Sequence, residues 1–248
     1  MKTTQRHHLK DNELAMALGQ AHGWLGTNQR TLLVTIAAIV LVGGGVAAYA
    51  TWKSNVDNKA RTMLAEAMVI EEARVMPPAP PAGTTNDPAA LGGQLPGTYP
   101  TERAKNDVAL PKFLAAADAY PSTDSGIMAR YHAATILVSL GRFDEAIKQY
   151  DQVIAAGSGV LNRTARLGKA EAQLRTGQYD PAIATFKELA EQKDVPLPPE
   201  ALLFELARAY KLAGKPEDAT KTLNQIVEQH ADSPFATEAK AELAKTKS

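Results

Sequence analysis

Three glycines, Gly141, Gly177 and Gly214, stand 36 and 37 residues apart, and the same residues surround each in fixed register. Seven residues before each glycine is an alanine: Ala134, Ala170 and Ala207. Five residues after each is another: Ala146, Ala182 and Ala219. Nine after each is a large side chain, Tyr150, Phe186 or Leu223; twelve after each is Val153, Leu189 or Ile226. Repetition at this period marks a stacked array, whose units are too small to bury their own apolar faces and bury them against neighbours. The glycine fits the end of a first helix, where a left-handed cap penalises any side chain. The alanines fit the crossing of two helices whose backbones approach closely. The large residue lies four past the second alanine, on the same face of the second helix, and would fill the gap to the next unit. Each unit therefore reads as a helix A, a tight turn and a helix B.

These positions resemble the tetratricopeptide repeat, with repeats at about 127–160, 163–196 and 200–232. The resemblance departs at the first-helix tryptophan position, which holds Arg130, Arg166 and Leu203. The position two past the glycine holds Phe143, Tyr179 and then Pro216. The spacing exceeds the usual repeat, and longer turns at Gly157-Ser158-Gly159 and Pro196-Leu197-Pro198-Pro199 fit the excess. A broken unit lies upstream at 57–121: Ala109, Phe113, Ala116 and Pro121 reproduce the helix B spacing, and residues 57–76 supply a helix A. A loop at 77–100 with eleven Pro or Gly residues and one charge, Asp87, separates the two. Such a composition predicts extended or disordered chain. Residues 233–247 read as a polar-faced capping helix starting at Asp232 or Ser233.

Residues 31–52 read TLLVTIAAIVLVGGGVAAYATW without a charge, bracketed by Arg30 and Lys53. As a helix this run spans about 33 Å, enough for a hydrocarbon core of about 30 Å. Tyr49 and Trp52 stand at one end, where amphipathic rings favour the headgroup zone. The expected fold is therefore all-α: a single N-terminal transmembrane helix at 31–52, then a tetratricopeptide-repeat-like right-handed α-solenoid over 53–247. A signal peptide cleaved after Ala50 is the rival reading, since Ala48-Tyr49-Ala50 is a small-x-small site. The length of the run and of the segment before it favours an uncleaved anchor. Lys2, Arg6, Lys10 and Arg30 before the span balance Lys53, Lys59 and Arg61 after it, so charge does not orient it. The large domain after the span suits the far side of the membrane, with a short cytoplasmic segment at 1–30. Within that segment, Leu14, Leu18 and Leu25 recur at helical spacing behind Asp11 and Asn12. A helix on the membrane surface and a partly ordered tail both fit them.

The chain has 27 Lys and Arg against 27 Asp and Glu, so it lacks the basic excess of a nucleic-acid binder. It has no cysteine, which excludes disulfides and cysteine-ligated zinc. Neither HExxH, GxGxxG, the phosphate-binding GxxxxGK[ST] nor GxSxG occurs. His7-His8 is adjacent rather than spaced along one helix face, and Gly168-Lys169 lacks a following Ser or Thr. The expectation is an interaction protein, not an enzyme, with no metal and no cofactor.

The concave face of a repeat superhelix comes mainly from the A helices. Counting from the glycines places Tyr131, Thr135 and Val138 there in the first repeat, Leu167, Glu171 and Leu174 in the second, and Phe204, Arg208 and Lys211 in the third. Packing between repeats is the alternative role for the apolar ones. A mostly apolar groove suits a partly apolar protein segment and not a carboxylate clamp. In the span, Gly43 with Ala47 and Gly44 with Ala48 form small-xxx-small pairs that would let another membrane helix approach.

The order of parts, the segment HLKDNELAMALG before the span and the repeat residues together resemble the YfgM-like ancillary subunit of the Sec translocon. That resemblance implies a single-pass inner-membrane protein with a cytoplasmic N-terminus and a periplasmic repeat domain. It also implies contact with the translocon, periplasmic chaperones and exported proteins. A scaffold subunit of another envelope complex shares the same layout.

Overall fold

The computed structural model describes residues 29–76, 96–192, 195 and 197–245. The expected surface helix at Leu9–Leu25 and most of the proline-rich loop lie outside these residues. The chain divides into two compact units, Met1–Asn55 and Val56–Ser248.

The first unit contributes most of the apolar part of helix α1, Gln29–Glu71. Ten large apolar or aromatic side chains from Leu33 to Trp52 are between 49% and 77% exposed. The helix is long and apolar enough to cross a membrane, and its apolar window buries nothing against the protein. The sequence separates a span at 31–52 from a helix at 57–76; the structure joins them. No Pro or Gly occurs between Val46 and Glu71 to interrupt the hydrogen-bond ladder.

Among its described residues the second unit is helical, apart from connecting turns and one small bridge. Its helices are the end of α1, then α2 (Glu102–Ala119), α3 (Asp124–Ser139), α4 (Phe143–Ala156), α5 (Gly159–Arg175), α6 (Tyr179–Glu191), α7 (Pro199–Leu212), α8 (Pro216–Gln229) and α9 (Pro234–Lys245). Their boundaries follow local chemistry. Thr101 and Thr123 accept hydrogen bonds from Ala104 N–H and Gly126 N–H, capping α2 and α3 at 3.0 Å each. Prolines open α7, α8 and α9, where a missing N–H costs nothing.

Consecutive pairs α3/α4, α5/α6 and α7/α8 are the three A/B units. Gly141, Gly177 and Gly214 have φ of 76°, 77° and 68°. After each glycine the next N–H reaches back five residues: Arg142 to Leu137 O at 2.8 Å, Gln178 to Gln173 O at 2.8 Å, Lys215 to Tyr210 O at 2.9 Å. This six-to-one bond defines the left-handed helix cap and turns the chain into helix B. The six alanines of the pattern expose at most 6% of their surface, and Tyr150, Phe186, Leu223, Val153, Leu189 and Ile226 are buried beside them.

The core forms two clusters that meet on α5. One joins Met63, Leu64, Ala67, Met68 and Ile70 of α1 to Phe113, Leu137, Tyr150 and Ala165. The other runs from Leu167 through Phe186, Leu202 and Ile226 to Ala236 and Ala239 of α9. The end of α1 thus packs with α2 and α3. His132 Nδ1 lies 2.8 Å from Glu71 Oε2.

Three boundaries differ from the sequence expectation. α1 ends at Glu71, not 76, because residues 74–75 leave the helix to pair with another segment. Arg74–Val75 forms β1 and Thr98–Tyr99 forms β2, a parallel two-residue bridge extended by Met76 N–H donating to Tyr99 O at 2.8 Å. The bridge closes the expected loop at its described end. Gly159, expected in a turn, is the first residue of α5 with φ of 58°.

Candidate interaction surface

The A helices α3, α5 and α7 carry all nine residues expected on the concave face, and the structure divides them by depth. Leu167 and Leu174 expose 8% and 6% and belong to the core. Tyr131, Val138 and Phe204 are half-buried; Thr135, Glu171, Arg208 and Lys211 are exposed. Leu167 therefore packs between repeats, the alternative role, whereas Leu174 keeps an edge on a cavity.

At the first repeat an aromatic corner forms. The Tyr131 ring lies 6.0 Å from both Tyr150 and His132, and Phe113 stacks on His132 at 5.1 Å. The Thr135 hydroxyl donates to Tyr131 O at 3.1 Å and stands 3.4 Å from the Tyr150 hydroxyl. Burial, with smaller contributions from Tyr131 and Glu171, pushes the Tyr150 phenol up to about 12. Both tyrosines thus remain neutral hydrogen-bonding groups.

Two adjoining cavities follow. The first, about 210 Å³, is lined by Val138, Glu171, Leu174, Arg175, Glu205 and Arg208. The second, about 320 Å³, lies between α7, α8 and α9, with Phe204, Ala207, Ala219 and Leu223 as its apolar wall and Arg208, Lys211 and Glu242 among its other lining residues. Arg208 donates to Glu205 at 3.2 Å, and Lys211 donates to Glu242 at 2.9 Å. Phe235 of α9 lies 5.9 Å from Phe204. A larger hollow, about 790 Å³, runs along α8 past Glu217, Lys221 and Glu228, with no wall from a second element. It is an open helix face, so the smaller walled cavities are the better candidates.

Glu171 is the electrostatic oddity of this face. Solvent reaches it, yet the flanking helices crowd its carboxyl. That burial raises its pKa, and Glu205 raises it further, against the opposing effect of Arg208 and Arg175. Arg175, Glu205 and Glu242 were not among the expected groove residues. Arg175 and Glu205 sit two and nine positions before their repeat glycines, each one residue from an expected position. A stripe wider than a single i, i+4, i+7 row would have included both.

Other polar residues staple neighbouring helices. Arg130, in the first-helix tryptophan position, is 7% exposed and donates to Asp118 at 2.7 Å and Gln149 at 2.8 Å. Arg166, its counterpart in the next unit, pairs with Glu188. In the first two repeats the departure is thus from an apolar plug to a charged one, whereas Leu203 keeps an apolar, buried plug in the third. Among the described residues no three His, Asp or Glu side chains gather as a metal site would need.

Residues 131–196 and 200–233 match two tetratricopeptide repeat family profiles. Over those residues the chain is similar to tetratricopeptide repeats. Solved repeat structures are similar in outline. A protein from Podosopora anserina with nearly identical TPR-like repeats, described as a kinesin light chain, shares 19% identity over 57% of this chain and 77% of its own, with a TM-score of 0.49. A tetratricopeptide repeat protein from Parabacteroides merdae shares 18% identity over 59% of this chain and 55% of its own, with a TM-score of 0.47. Among curated proteins none matches this chain in sequence. Tetratricopeptide repeats are interaction scaffolds, as a rule without catalysis, and they bind protein partners.

Proposed function

We propose that this protein is a membrane-anchored adaptor that holds a protein partner in the concave face of its repeats. The walled pair of cavities on α5, α7, α8 and α9 is the observation that carries this reading. Ten exposed large side chains on α1 support the anchor. Covering each contributes about 1.5–3 kcal/mol, so lipid is a far better surrounding than water. The size of the repeat domain supports a single pass with a cytoplasmic N-terminus and the repeats in the periplasm of a bacterial inner membrane.

Within that setting the reading is an ancillary component of protein translocation that hands exported proteins to periplasmic chaperones. The order of parts and the HLKDNELAMALG segment support it. Photo-crosslinking from Tyr131 and Phe204 in intact membranes tests it. Capture of translocon subunits or exported chains is the expected result. Stoichiometric capture of another envelope complex would overturn the translocation role and favour a scaffold subunit. Reporters active on only one side of the membrane, fused to each terminus, test the orientation. The pairs Gly43/Ala47 and Gly44/Ala48 lie on the exposed surface of α1, with open space around Gly43 and Gly44, and serve in this reading as contact points for a partner's membrane helix.

A further inference from the structure

Sulfur chemistry in this chain belongs to methionine alone, since it has six methionines and no cysteine. Met1 and Met16 lie outside the described residues. Of the other four, only Met63 and Met68 reach a core cluster. Both belong to the last part of α1. With Leu64, Ala67 and Ile70 they form the apolar seat of that helix end in the cluster it shares with α2 and α3, so two of its five side chains are thioethers. The contact between His132 and Glu71, 2.8 Å long, lies at the same junction. Neither methionine is sealed: both are partly buried and keep some surface in solvent, where a small oxidant reaches them. Met128, 36% exposed on α3, belongs to neither cluster.

We infer that Met63 and Met68 are a reversible oxidation site, and that their sulfoxides release the end of α1 from α2 and α3. The reactant is a peroxide. The thioether sulfur attacks one oxygen of hydrogen peroxide, and an S–O bond forms as the O–O bond breaks. The departing hydroxide takes the proton of the transferred hydroxyl and leaves as water, so sulfur is oxidised and the peroxide reduced. The product turns a flexible apolar side chain into a polar one whose oxygen requires hydrogen-bond donors. The side chains of the cluster are mostly apolar, Leu110, Phe113 and Leu137 among them. A sulfoxide therefore turns to water, and its packing in the seat is lost. Two losses among five side chains loosen the helix end. α2 and α3 pack directly on each other, so the opening stays local. Enzymatic reduction of the sulfoxides closes it again.

The test treats the full-length protein in detergent with graded hydrogen peroxide. Peptide mass mapping follows each sulfoxide, and hydrogen exchange by mass spectrometry follows the backbone. Once Met63 and Met68 are oxidised, amide exchange over residues 60–71 is expected to rise about tenfold or more, the scale of one large apolar side chain losing its burial. α7 and α8 are expected to stay protected. Methionine sulfoxide reductases that act on both sulfoxide epimers are expected to restore the original exchange. The double variant Met63→Leu, Met68→Leu keeps apolar side chains of similar volume without sulfur and is expected to hold its protection through the same treatment. The variant Met63→Gln, Met68→Gln is expected to exchange fast with no oxidant added. Three results would overturn the inference: full oxidation of both residues with exchange in α1 unchanged, full oxidation of Met128 while both remain thioethers, or equal loss of protection in the leucine variant. Reductase reversal in the unaltered protein decides the matter even where a double variant fails to fold.

Discussion

Gly168 occupies a place where a side chain has no room. A Cβ there would stand 2.6 Å from Tyr150 Cζ and 2.7 Å from its hydroxyl. The large residue of one repeat thus seats against the first helix of the next, and the glycine makes the seat. Gly168→Ala is expected to cost about 1–3 kcal/mol, the usual penalty for overpacking. Tyr150→Leu, which removes the clashing ring atoms, should recover part of that loss, and urea denaturation of the single and double variants reads the coupling. The register of Gly, Ala and large residues was legible in the sequence because each position serves its own helix or its next neighbour. The role of Gly168 was not, because it depends on a ring approaching from 18 residues away. Glu171 carries a pH consequence. Its folded pKa lies above its unfolded one, so the folded state binds the proton more tightly. Stability is therefore lost as pH rises through both values. Glu171→Gln should raise the melting temperature at pH 7, and the gain should vanish below about pH 4, where the ordinary carboxyl is protonated. A gain that persists at low pH would assign the effect to something other than this carboxylate.

At the scale of elements, α1 serves two environments along one helix. Its Leu33–Trp52 stretch exposes apolar side chains, whereas Ala60 and Ala67 are fully buried. The hydropathy pattern made the first part plain and hinted at the second through its Ala, Met and Glu content. It missed their continuity, because a helix boundary was assumed where nothing in the sequence enforces one. A chain starting at Val56 retains every residue of the second compact unit. It should remain in the supernatant after ultracentrifugation without detergent, with the helical circular dichroism of the repeats. Aggregation of that fragment would show that the apolar stretch contributes to folding as well as to anchoring. The groove was less legible than the repeats for a related reason. Apolar residues at helix A positions have two possible neighbours, the next repeat or a ligand, and spacing alone does not choose. Leu167 went to the core, whereas Phe204 kept one side on the cavity between α7, α8 and α9.

At the scale of the whole repeat domain, contacts pass from each helix mainly to its neighbours in sequence, so stability adds unit by unit. The array then depends on its ends. α9 covers the third repeat with Ala236 and Ala239 buried and Phe235 and Leu243 packed against the same cluster. Deleting residues 234–248 should raise amide exchange in α7 and α8 first and leave α3 and α4 protected, as hydrogen exchange by mass spectrometry would show. Equal loss of protection everywhere would mean a fully cooperative domain instead. The small parallel bridge between Arg74–Val75 and Thr98–Tyr99 matters at this scale too. Two-residue strands have no periodicity to read, so nothing in the sequence announced it. It fastens the two ends of the proline-rich stretch within one strand spacing, about 4.8 Å. The helices on either side therefore do not register how many residues lie between those ends. Each doubling of that length costs only about 0.6 kcal/mol of chain entropy. The stretch can be lengthened, shortened or replaced by a foreign domain while the repeats stay in step, which makes it the natural port for grafting a label or for lineages to vary without disturbing the scaffold.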